Sequence, residues 1–587
     1  MPLGPVFDAE LITTARRPRY YALRFAYGAV LLALIAARYR QIRWEAPDAG
    51  FAPTPQAMAR FATGLFEVLN GVQAAAVLFL TPALVAGTIA DERQRKTLHY
   101  LLASELSGAE IVGGKLAARL LHSMVTLAVG VPVLGLLLLF GGIDPRQVAL
   151  SFAGAASTAF FVAGLSIFAS AISGRVREAV ALAYILELAW LIGPWVLLSL
   201  ASGLPGAERF SRPALAWLLD GQPTALFGVG SWVDGQTIPR VAWMIGLQLA
   251  YGSTFVGLAV WRLRPGDRAV AAGGDAPGHR RRRRLLARPI GDDPMLWKEC
   301  RVARSGGPLR VVWIGLGLMA LTSLGYVVAG SAWSAFEELA AHGYGRGLGL
   351  DLQRRGDLKS LISLTTMAVS LVWVVAVASS AACGLTAERE EDTWISLIGT
   401  RLEGREILRA KRVGALLRPR GPALTLLALW AVGVAAGAIH PLAALALAAE
   451  LLAVGGFATA LGTYLSLRAT TTARALAATL GVVFAIVVGL PVAGLMAPDN
   501  GEILFGFCPP ILLGSSCVDH TWVRAMLGWG QADYDPSVNA FVHSTAIGLA
   551  ATLAYGSAAW LLARRADLAF DRVVDRPRRP SRSRPSA

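Results

Sequence analysis

The stretch GTIADERQRKTLHYLLASELSGAEIVGGK at residues 87–115 is a charged island that directly follows one long apolar run and directly precedes another. The island recurs 296 positions later, where residues 388–411 match residues 92–115 at 9 of 24 ungapped positions. We call residues 87–119 the first island and residues 387–420 the second island. A charged segment repeated at the same place in two apolar halves indicates a functional contact surface. The plainer interpretation is a pair of surface helices that only join two membrane spans.

The composition of the chain predicts a membrane protein. Of its 587 residues, 55% are hydrophobic and 16% are charged, whereas soluble proteins carry roughly 25% charged residues. The apolar residues fall in runs of about 20, long enough to cross a hydrocarbon core of about 30 Å. The net charge of +16 then indicates basic cytoplasmic loops and does not predict nucleic-acid binding. Four Cys residues are too few for a disulfide framework or a zinc site, so no metal is expected.

The apolar runs form two sets of six, which predicts an all-α integral membrane protein with a two-fold internal repeat. Residues 1–265 and 291–565 are the predicted six-span halves, residues 266–290 an Arg-rich cytoplasmic linker, and residues 566–587 a disordered basic tail. The twelve predicted spans are 20–37, 64–88, 120–140, 148–172, 179–201, 241–261, 311–330, 361–386, 421–439, 443–467, 475–497 and 544–563.

The distribution of Lys and Arg predicts the orientation of the chain. With the N-terminus inside, 41 of the 55 Lys and Arg residues fall in the inside segments. Because basic residues are enriched in cytoplasmic loops, both islands, the linker and both termini are expected in the cytoplasm. Residues 1–19, which are apolar at helical spacing and end in basic residues, predict a short helix at the membrane surface.

Each island is predicted to fold as two short helices joined by a tight turn. Thr97 and Leu101 lie along an apolar stripe of the first helix. Ser107 and Glu110 have the spacing of a capping box, which predicts that the second helix begins there. Lys115 is expected where that helix re-enters the membrane.

The pattern Glu-Arg…Thr-Leu-x-x-Leu-Leu…Leu-Ser-x-x-Glu-Ile…Lys after the second span resembles the membrane subunits of type-2 ATP-binding-cassette (ABC) transporters. The resemblance implies that the island is the coupling helix that docks on a separate ATPase. It also implies that two such halves form the transport pathway and that the protein is an exporter in a bacterial inner membrane. The pathway is expected between the halves, near spans 2 and 5 and their copies. The residues expected to couple to the ATPase are Glu92, Arg93, Thr97, Glu110 and Lys115, with Glu388, Arg389, Thr393, Glu406 and Lys411.

The two islands differ in charge at one place. Arg95 and Lys96 in the first island correspond to Glu391 and Asp392 in the second. We therefore expect these residues either to face each other across the pseudo-two-fold axis or to bind two different surfaces of the ATPase.

The chain is not expected to hydrolyse ATP itself. A phosphate-binding loop needs Gly-x-x-x-x-Gly-Lys followed by Ser or Thr, and Leu116 follows Lys115 where the hydroxyl residue should stand. No cytoplasmic segment approaches about 100 residues, the usual size of a domain. We therefore expect no cofactor in this chain, with ATP bound by a partner ATPase dimer and lipids as the other partner.

Two other classes of protein remain open at this point. Gly87-x-x-x-Asp91-x-Arg93-x-Arg95-Lys96 resembles the loop after span 2 of major-facilitator transporters. The second island keeps none of those Asp or basic positions, and the island is longer than that loop. The other alternative is an intramembrane enzyme or scaffold, for which the chain offers no hydrolytic Ser–His arrangement.

Two carboxylates and two cysteines have candidate roles outside the islands. Glu187 and Glu450 lie within predicted spans 5 and 10, where a charge costs about 2.5–3.5 kcal/mol. They are expected either to line the substrate path or to serve as hydrogen-bonded structural groups. Cys508 and Cys517 share an outer loop and are expected either to form a disulfide or to remain free thiols.

Overall fold

The computed structural model of the chain is built from helices. It describes residues 4–16, 18–45, 55–202, 217–223, 237–271, 294–299, 352–390, 393–435, 439, 441–495, 501–515 and 538–573. No strand occurs in these ranges. The predicted all-α fold class is therefore confirmed.

Along the chain, the described helices of the second half occur in the same order as those of the first half. The first half contains α1 (Gly4–Ala15), α2 (Pro18–Glu45), α3 (Pro55–Val85), α4 (Thr88–Gln94), α5 (Leu98–Ala103), α6 (Gly108–Ala128), α7 (Gly130–Leu137), α8 (Pro145–Ile172), α9 (Val176–Ser202) and α10 (Thr237–Ala271). The second half contains α11 (Pro294–Trp297), α12 (Leu352–Glu390), α13 (Trp394–Ile398), α14 (Gly404–Leu417), α15 (Arg420–Ala435), α16 (Pro441–Arg468), α17 (Thr472–Phe484), α18 (Leu490–Leu495), α19 (Gly501–Gly506), α20 (Pro509–Ser515) and α21 (Val538–Val573).

Nine helical stretches in the described ranges are long and apolar enough to cross a membrane. Predicted span 5 forms α9 but is not among the nine, and predicted span 9 forms the shorter apolar helix α15. Predicted span 7 lies outside the described residues. The total of twelve spans stays a prediction. The nine stretches are Tyr21–Arg40, Met58–Gln94, Gly108–Phe140, Pro145–Ile172, Ile238–Leu263, Thr365–Glu390, Ala443–Arg468, Thr472–Gly489 and Ala546–Phe570.

The fourth span occupies the same central place in both halves. Its helix α8 begins at Pro145, where Asp144 accepts a hydrogen bond from the backbone N–H of Arg146 at 2.7 Å. Such a cap, with proline in the first turn, favours a helix start at this point. Helix α8 packs against α3 and α10, and its counterpart α16 packs against α12 and α21. The structure thus repeats the packing that the sequence repeat predicts.

The two halves share one apolar core. Helix α9 of the first half packs against α12 of the second, and α17 packs against α3. The rings of Phe79 and Phe484 lie 4.7 Å apart across this boundary. Burial of residues from both halves in a single cluster indicates that neither half forms a separate domain in this arrangement.

The last helix extends beyond the predicted end of the second half. Helix α21 runs to Val573, and both Ala566 and Phe570 are fully buried in the core beneath the second island. Asp567 pairs with Arg412 at 3.0 Å, so packing and charge both hold this part of the predicted tail in place. Most of the predicted linker and residues 574–587 lie outside the described residues, and the predicted domain limits stay predictions.

Candidate functional site

The first island begins with a helix that ends in a tight turn. The backbone N–H of Lys96 donates to Arg93 O at 3.2 Å, and that of Thr97 donates to Glu92 O at 2.9 Å. This pair of bonds is the Schellman arrangement, whose turning residue adopts a left-handed conformation. Lys96 has that conformation, with φ at 58°. The chain therefore reverses direction at Lys96 and presents α5 as a separate short helix.

We predict that Lys96→Gly stabilises the protein by about 0.5–1 kcal/mol, because glycine adopts positive φ without a steric penalty. Lys96→Ala is the matched control, since it removes the same charge but keeps the strained backbone. Unfolding of both variants in mixed detergent micelles measures the difference. Equal stability of the two variants would contradict a left-handed residue at this position.

The second helix of each island, α6 or α14, begins with a capping arrangement. In the first island this arrangement is the one that the sequence predicts. Ser107 Oγ accepts from Glu110 N at 3.2 Å, and Ser107 N donates to Glu110 Oε2 at 2.7 Å. The predicted capping box is therefore confirmed. In the second island, Glu403 N donates to Glu406 Oε2 at 2.9 Å. Both α6 and α14 thus start with a carboxylate that satisfies a free backbone N–H.

A buried lysine lies at the centre of the first island. Lys115 is only 3% exposed, and its Nζ lies 2.5 Å from Glu92 Oε1 and 2.9 Å from Glu10 Oε1. Arg119 pairs with the other oxygen of Glu10 at 3.3 Å. Because Glu10 belongs to α1, which packs along α6, this cluster ties the N-terminal helix to the island. The two carboxylates supply the counter-charge that a buried ammonium requires.

The second island contains the same cluster. Lys411 Nζ lies 2.6 Å from Glu388 Oε1 and 2.7 Å from Glu299 Oε1. Arg418 pairs with the other oxygen of Glu299. Glu299 follows α11, so it stands in the place that Glu10 takes in the first half. The sequence similarity of residues 4–10 and 293–299 was the only signal for these two glutamates, and it did not predict their ion pairs.

The arginines Arg93 and Arg389 bind backbone carbonyl groups at the end of the fourth span. Arg93 Nη1 donates to Ser173 O at 2.6 Å. Arg389 donates to Ala469 O at 2.9 Å and to Leu467 O at 3.2 Å. Arginine suits this role because its guanidinium group offers several donors in a fixed geometry. Each island is thereby attached to the helix that forms the centre of its half.

Sequence reasoning missed a serine on that same central helix that binds backbone N–H groups at or just before the start of each island. Ser170 Oγ accepts from the backbone N–H groups of Ile89 and Ala90 at 3.1 and 3.0 Å. In the second half, Ser466 Oγ accepts from the N–H groups of residues 385–386, each at 3.2 Å. Both serines are fully buried. Their position 296 residues apart was a possible signal, but serine is common in membrane helices.

We predict that Ser170→Ala lowers the free energy of unfolding by about 1–2 kcal/mol, because buried N–H groups at a helix start lose their acceptor. Ser166→Ala is the matched control one turn earlier on α8. Ser166 is equally buried, and its hydroxyl has no hydrogen-bond partner in the described part of the chain. We expect the control to be neutral or slightly stabilising, and a comparable loss in both variants would contradict the capping role.

An ion pair joins the islands of the two halves in the part of the chain that the structure describes. Arg95 Nη2 lies 3.0 Å from Glu390 Oε1, while its Nε binds Asp91 in its own helix at 3.0 Å. Burial lowers the pKa of Arg95, but the hydrogen bond and charge of Asp91 and the charge of Glu390 outweigh this and raise it. The predicted partners Glu391 and Asp392 lie outside the described residues. A contact between the halves therefore occurs next to the predicted position.

The predicted coupling residues thus divide into two groups. Glu92, Arg93 and Lys115, like Glu388, Arg389 and Lys411, brace each island internally. Thr97, Glu110, Thr393 and Glu406 are exposed. The most exposed apolar side chains of the islands are Tyr100 on α5, at 71%, and Ile395 on α13, at 82%. Sequence comparison missed them because they do not occupy matching positions of the repeat. A role of any of these residues in coupling stays a prediction.

The remaining predicted residues lie away from the islands. Glu187 is buried on α9 and Glu450 is buried on α16. Cys508 is also buried, and its thiol donates to Val487 O at 3.4 Å. Cys517 lies outside the described residues, so the disulfide stays a prediction.

The architecture defines an all-α membrane protein made of two similar helical halves with a braced pair of short helices after span 2 of each. Residues 5–210 match the family model described as ABC-2 family transporter protein. This match confirms the resemblance to type-2 ABC permeases over that part of the chain, and the apolar helices of the described residues indicate a multi-pass membrane protein. No curated protein matches the chain.

Proposed function

We propose that the chain is the membrane-spanning permease subunit of an ABC exporter and that a separate ATPase dimer drives it through α5 and α13. The two islands are the observation on which this proposal depends. In each island, a short exposed helix adjoins helices that a buried lysine and an arginine bound to the central helix hold in place. Two similar docking points under one pathway suit a partner that is itself a dimer.

The bracing supports a mechanical role for the islands. Helix α5 is attached to the transmembrane helix α6 by a short turn, and Lys115 in α6 holds both Glu92 and Glu10. A displacement of α5 is therefore passed to the membrane helices and to α1 as a unit. ATP-driven closure of the ATPase pair would move the two islands relative to each other and change access to the pathway between the halves.

The direction and location of transport follow from the resemblance. Type-2 ABC permeases are mostly exporters, and the basic residues favour islands on the cytoplasmic side, where ATP is available. We therefore infer export across a bacterial inner membrane, with both termini in the cytoplasm. No residue of this chain reacts with the substrate or with ATP in this proposal, which makes the chain a transport subunit.

The test is affinity purification of the chain from its native host with identification of bound ATPase subunits and measurement of ATP hydrolysis. We expect Tyr100→Asp combined with Ile395→Asp to lower recovery of the ATPase about tenfold or more, because exposed aromatic and aliphatic anchors dominate interfaces. Replacing Glu92 and Glu388 by lysine is a poorer test, since both glutamates neutralise buried lysines.

The control for this experiment is Arg146→Asp, an exposed position at the opposite end of the helix bundle. It should leave recovery of the ATPase and the rate of ATP hydrolysis unchanged. The proposal would be wrong if no ATPase bound the unmodified chain. It would also be wrong if the double variant, folded and inserted normally, kept full ATPase recovery and activity.

A further inference from the structure

Glu187 is a buried carboxylate without a counter-charge in the described part of the chain. The side chain is 5% exposed, and neither of its oxygens has a hydrogen-bond partner within the residues that the structure describes. An isolated carboxylate in such surroundings is unfavourable unless a cation or a proton accompanies it. The predicted span at 311–330, which the structure does not describe, contains no Lys, Arg or His that could serve as the cation.

Aromatic side chains lie on both sides of this carboxylate. Tyr184 is one turn before Glu187 on α9, and Trp190 is one turn after it; residues at this spacing are neighbours on a helix surface. The Tyr184 hydroxyl donates to Phe79 O at 2.5 Å, and the Trp190 ring lies 4.4 Å from the ring of Phe161. The hydroxyl and the rings are therefore held in place while the carboxylate between them is left without a partner.

A second polar side chain without a partner lies on the neighbouring helix α3. Both amide atoms of Gln73 lack hydrogen-bond partners in the described ranges, and the residue is 1% exposed. Helices α3 and α9 run in opposite directions, and Phe79 is level with Tyr184. A helix rises about 1.5 Å per residue. Because Glu187 is one turn beyond Tyr184 on α9, its level along the two helices lies between those of Phe79 and Gln73.

Glu187 lies on the helix of the first half that contacts the second half, and the carboxylate is not repeated at the corresponding position. Helix α9 packs against α12 of the second half. At the corresponding place in α17 the chain has Val483, which is buried in the shared apolar core. The repeat therefore gives Glu187 no symmetric counterpart at position 483.

We propose that Glu187 binds the positive charge of a hydrophobic organic cation, and that cations of this class are the substrate. This inference rests on the proposed transport function and adds the chemical class of the cargo. The carboxylate neutralises the charge, and the faces of Trp190 and Tyr184 contact the apolar part through cation–π and van der Waals interactions. Gln73, on the neighbouring helix α3, offers a carbonyl acceptor for any N–H group of the ligand.

The experiment measures binding of radiolabelled tetraphenylphosphonium to the purified chain in phosphatidylcholine nanodiscs, without any ATPase. We expect saturable binding, with Glu187→Gln weakening it about tenfold or more because the counter-charge is lost in an apolar environment. Trp190→Leu should weaken it about three- to tenfold. Glu67→Gln, which removes an exposed carboxylate on α3, is the matched control and should change nothing.

The neutral analogue triphenylphosphine oxide tests whether charge decides binding. We expect it to compete poorly with tetraphenylphosphonium on the unmodified chain. Absence of saturable binding, equal binding by Glu187→Gln, or equal affinity for the neutral analogue would each overturn the inference. These results do not depend on a partner, so they are distinguishable from a failure to recover an ATPase, which would overturn the proposed function instead.

Discussion

Replacing Lys411 by methionine is expected to lower the free energy of unfolding by about 3–5 kcal/mol, as found when one partner of a buried ion pair is removed. Lys411 is 4% exposed and lies between Glu299 and Glu388. Without it, Glu299 keeps only Arg418 as a counter-charge, and Glu388 keeps only the more distant and exposed Lys298. Methionine keeps most of the side-chain volume, so the loss reports charge and not a cavity.

The chain offers a matched control for this variant. Lys298 pairs with the same carboxylate oxygen of Glu388 at 3.3 Å, but its side chain is 48% exposed. Lys298→Met should cost less than about 1 kcal/mol, since exposed ion pairs contribute little. Unfolding in mixed detergent micelles compares the two variants. Equal effects would show that Lys411 is hydrated and that the cluster does not brace the island.

A double variant separates the ion pair from general loss of structure. In Lys411→Met combined with Glu388→Gln, the remaining amide carries no charge, so part of the lost stability should return. Lys115→Met should behave in the same direction with a smaller loss, because Glu10 and Glu92 are more exposed than Glu299. If the cluster braces the island through its ion pairs, a variant with both charges of a pair neutralised must be more stable than a variant with only the lysine replaced.

The local structure of the islands could be predicted from the sequence, whereas their long-range contacts could not. Ser107 and Glu110 are three residues apart, and backbone geometry alone brings them together once a helix starts there. The partners Glu10 and Lys115 are separated by 105 positions. Their approach depends on how α1 packs along α6, which no local pattern specifies. The repeat pointed to the region that holds the buried ion pairs but gave no information about which charges are buried.

The ion pair between the two islands is another long-range contact that depends on tertiary structure. Opposite charges at corresponding positions of the two islands predicted either a pairing across the pseudo-two-fold axis or binding to two different surfaces of the ATPase. The described contact joins Arg95 to Glu390, one position away from the predicted pair. Helix α12 is continuous to Glu390, whereas the first half has a break between α3 and α4. The two islands therefore differ in local geometry, which the alignment of the two copies does not reveal, and the pairing of Glu391 and Asp392 stays a prediction.

Gly462→Ala is expected to lower the free energy of unfolding by about 1–3 kcal/mol, the usual cost of forcing a methyl group into a packed interior. Gly462 lies on α16 where it crosses α12. A Cβ atom at this position would lie 2.6 Å from Ala381 Cβ and 2.9 Å from Ala382 N. Backbone atoms cannot move aside as a flexible side chain can, so the two helices must separate.

Gly456, on the same helix, provides a control, because its replacement by alanine is not expected to lower the free energy of unfolding. A Cβ atom there would meet only Ala559 Cβ, at an ordinary contact distance of 3.7 Å. Gly456→Ala should therefore be neutral or stabilising by up to about 1 kcal/mol, because alanine is the better helix former. Unfolding of both variants in mixed micelles gives the comparison. Since α12 also contacts α9 of the other half, a destabilised Gly462→Ala variant should in addition bind tetraphenylphosphonium more weakly, while Gly456→Ala keeps full binding. Equal stability of the two variants would contradict the close approach of α16 and α12 on which the shared core depends.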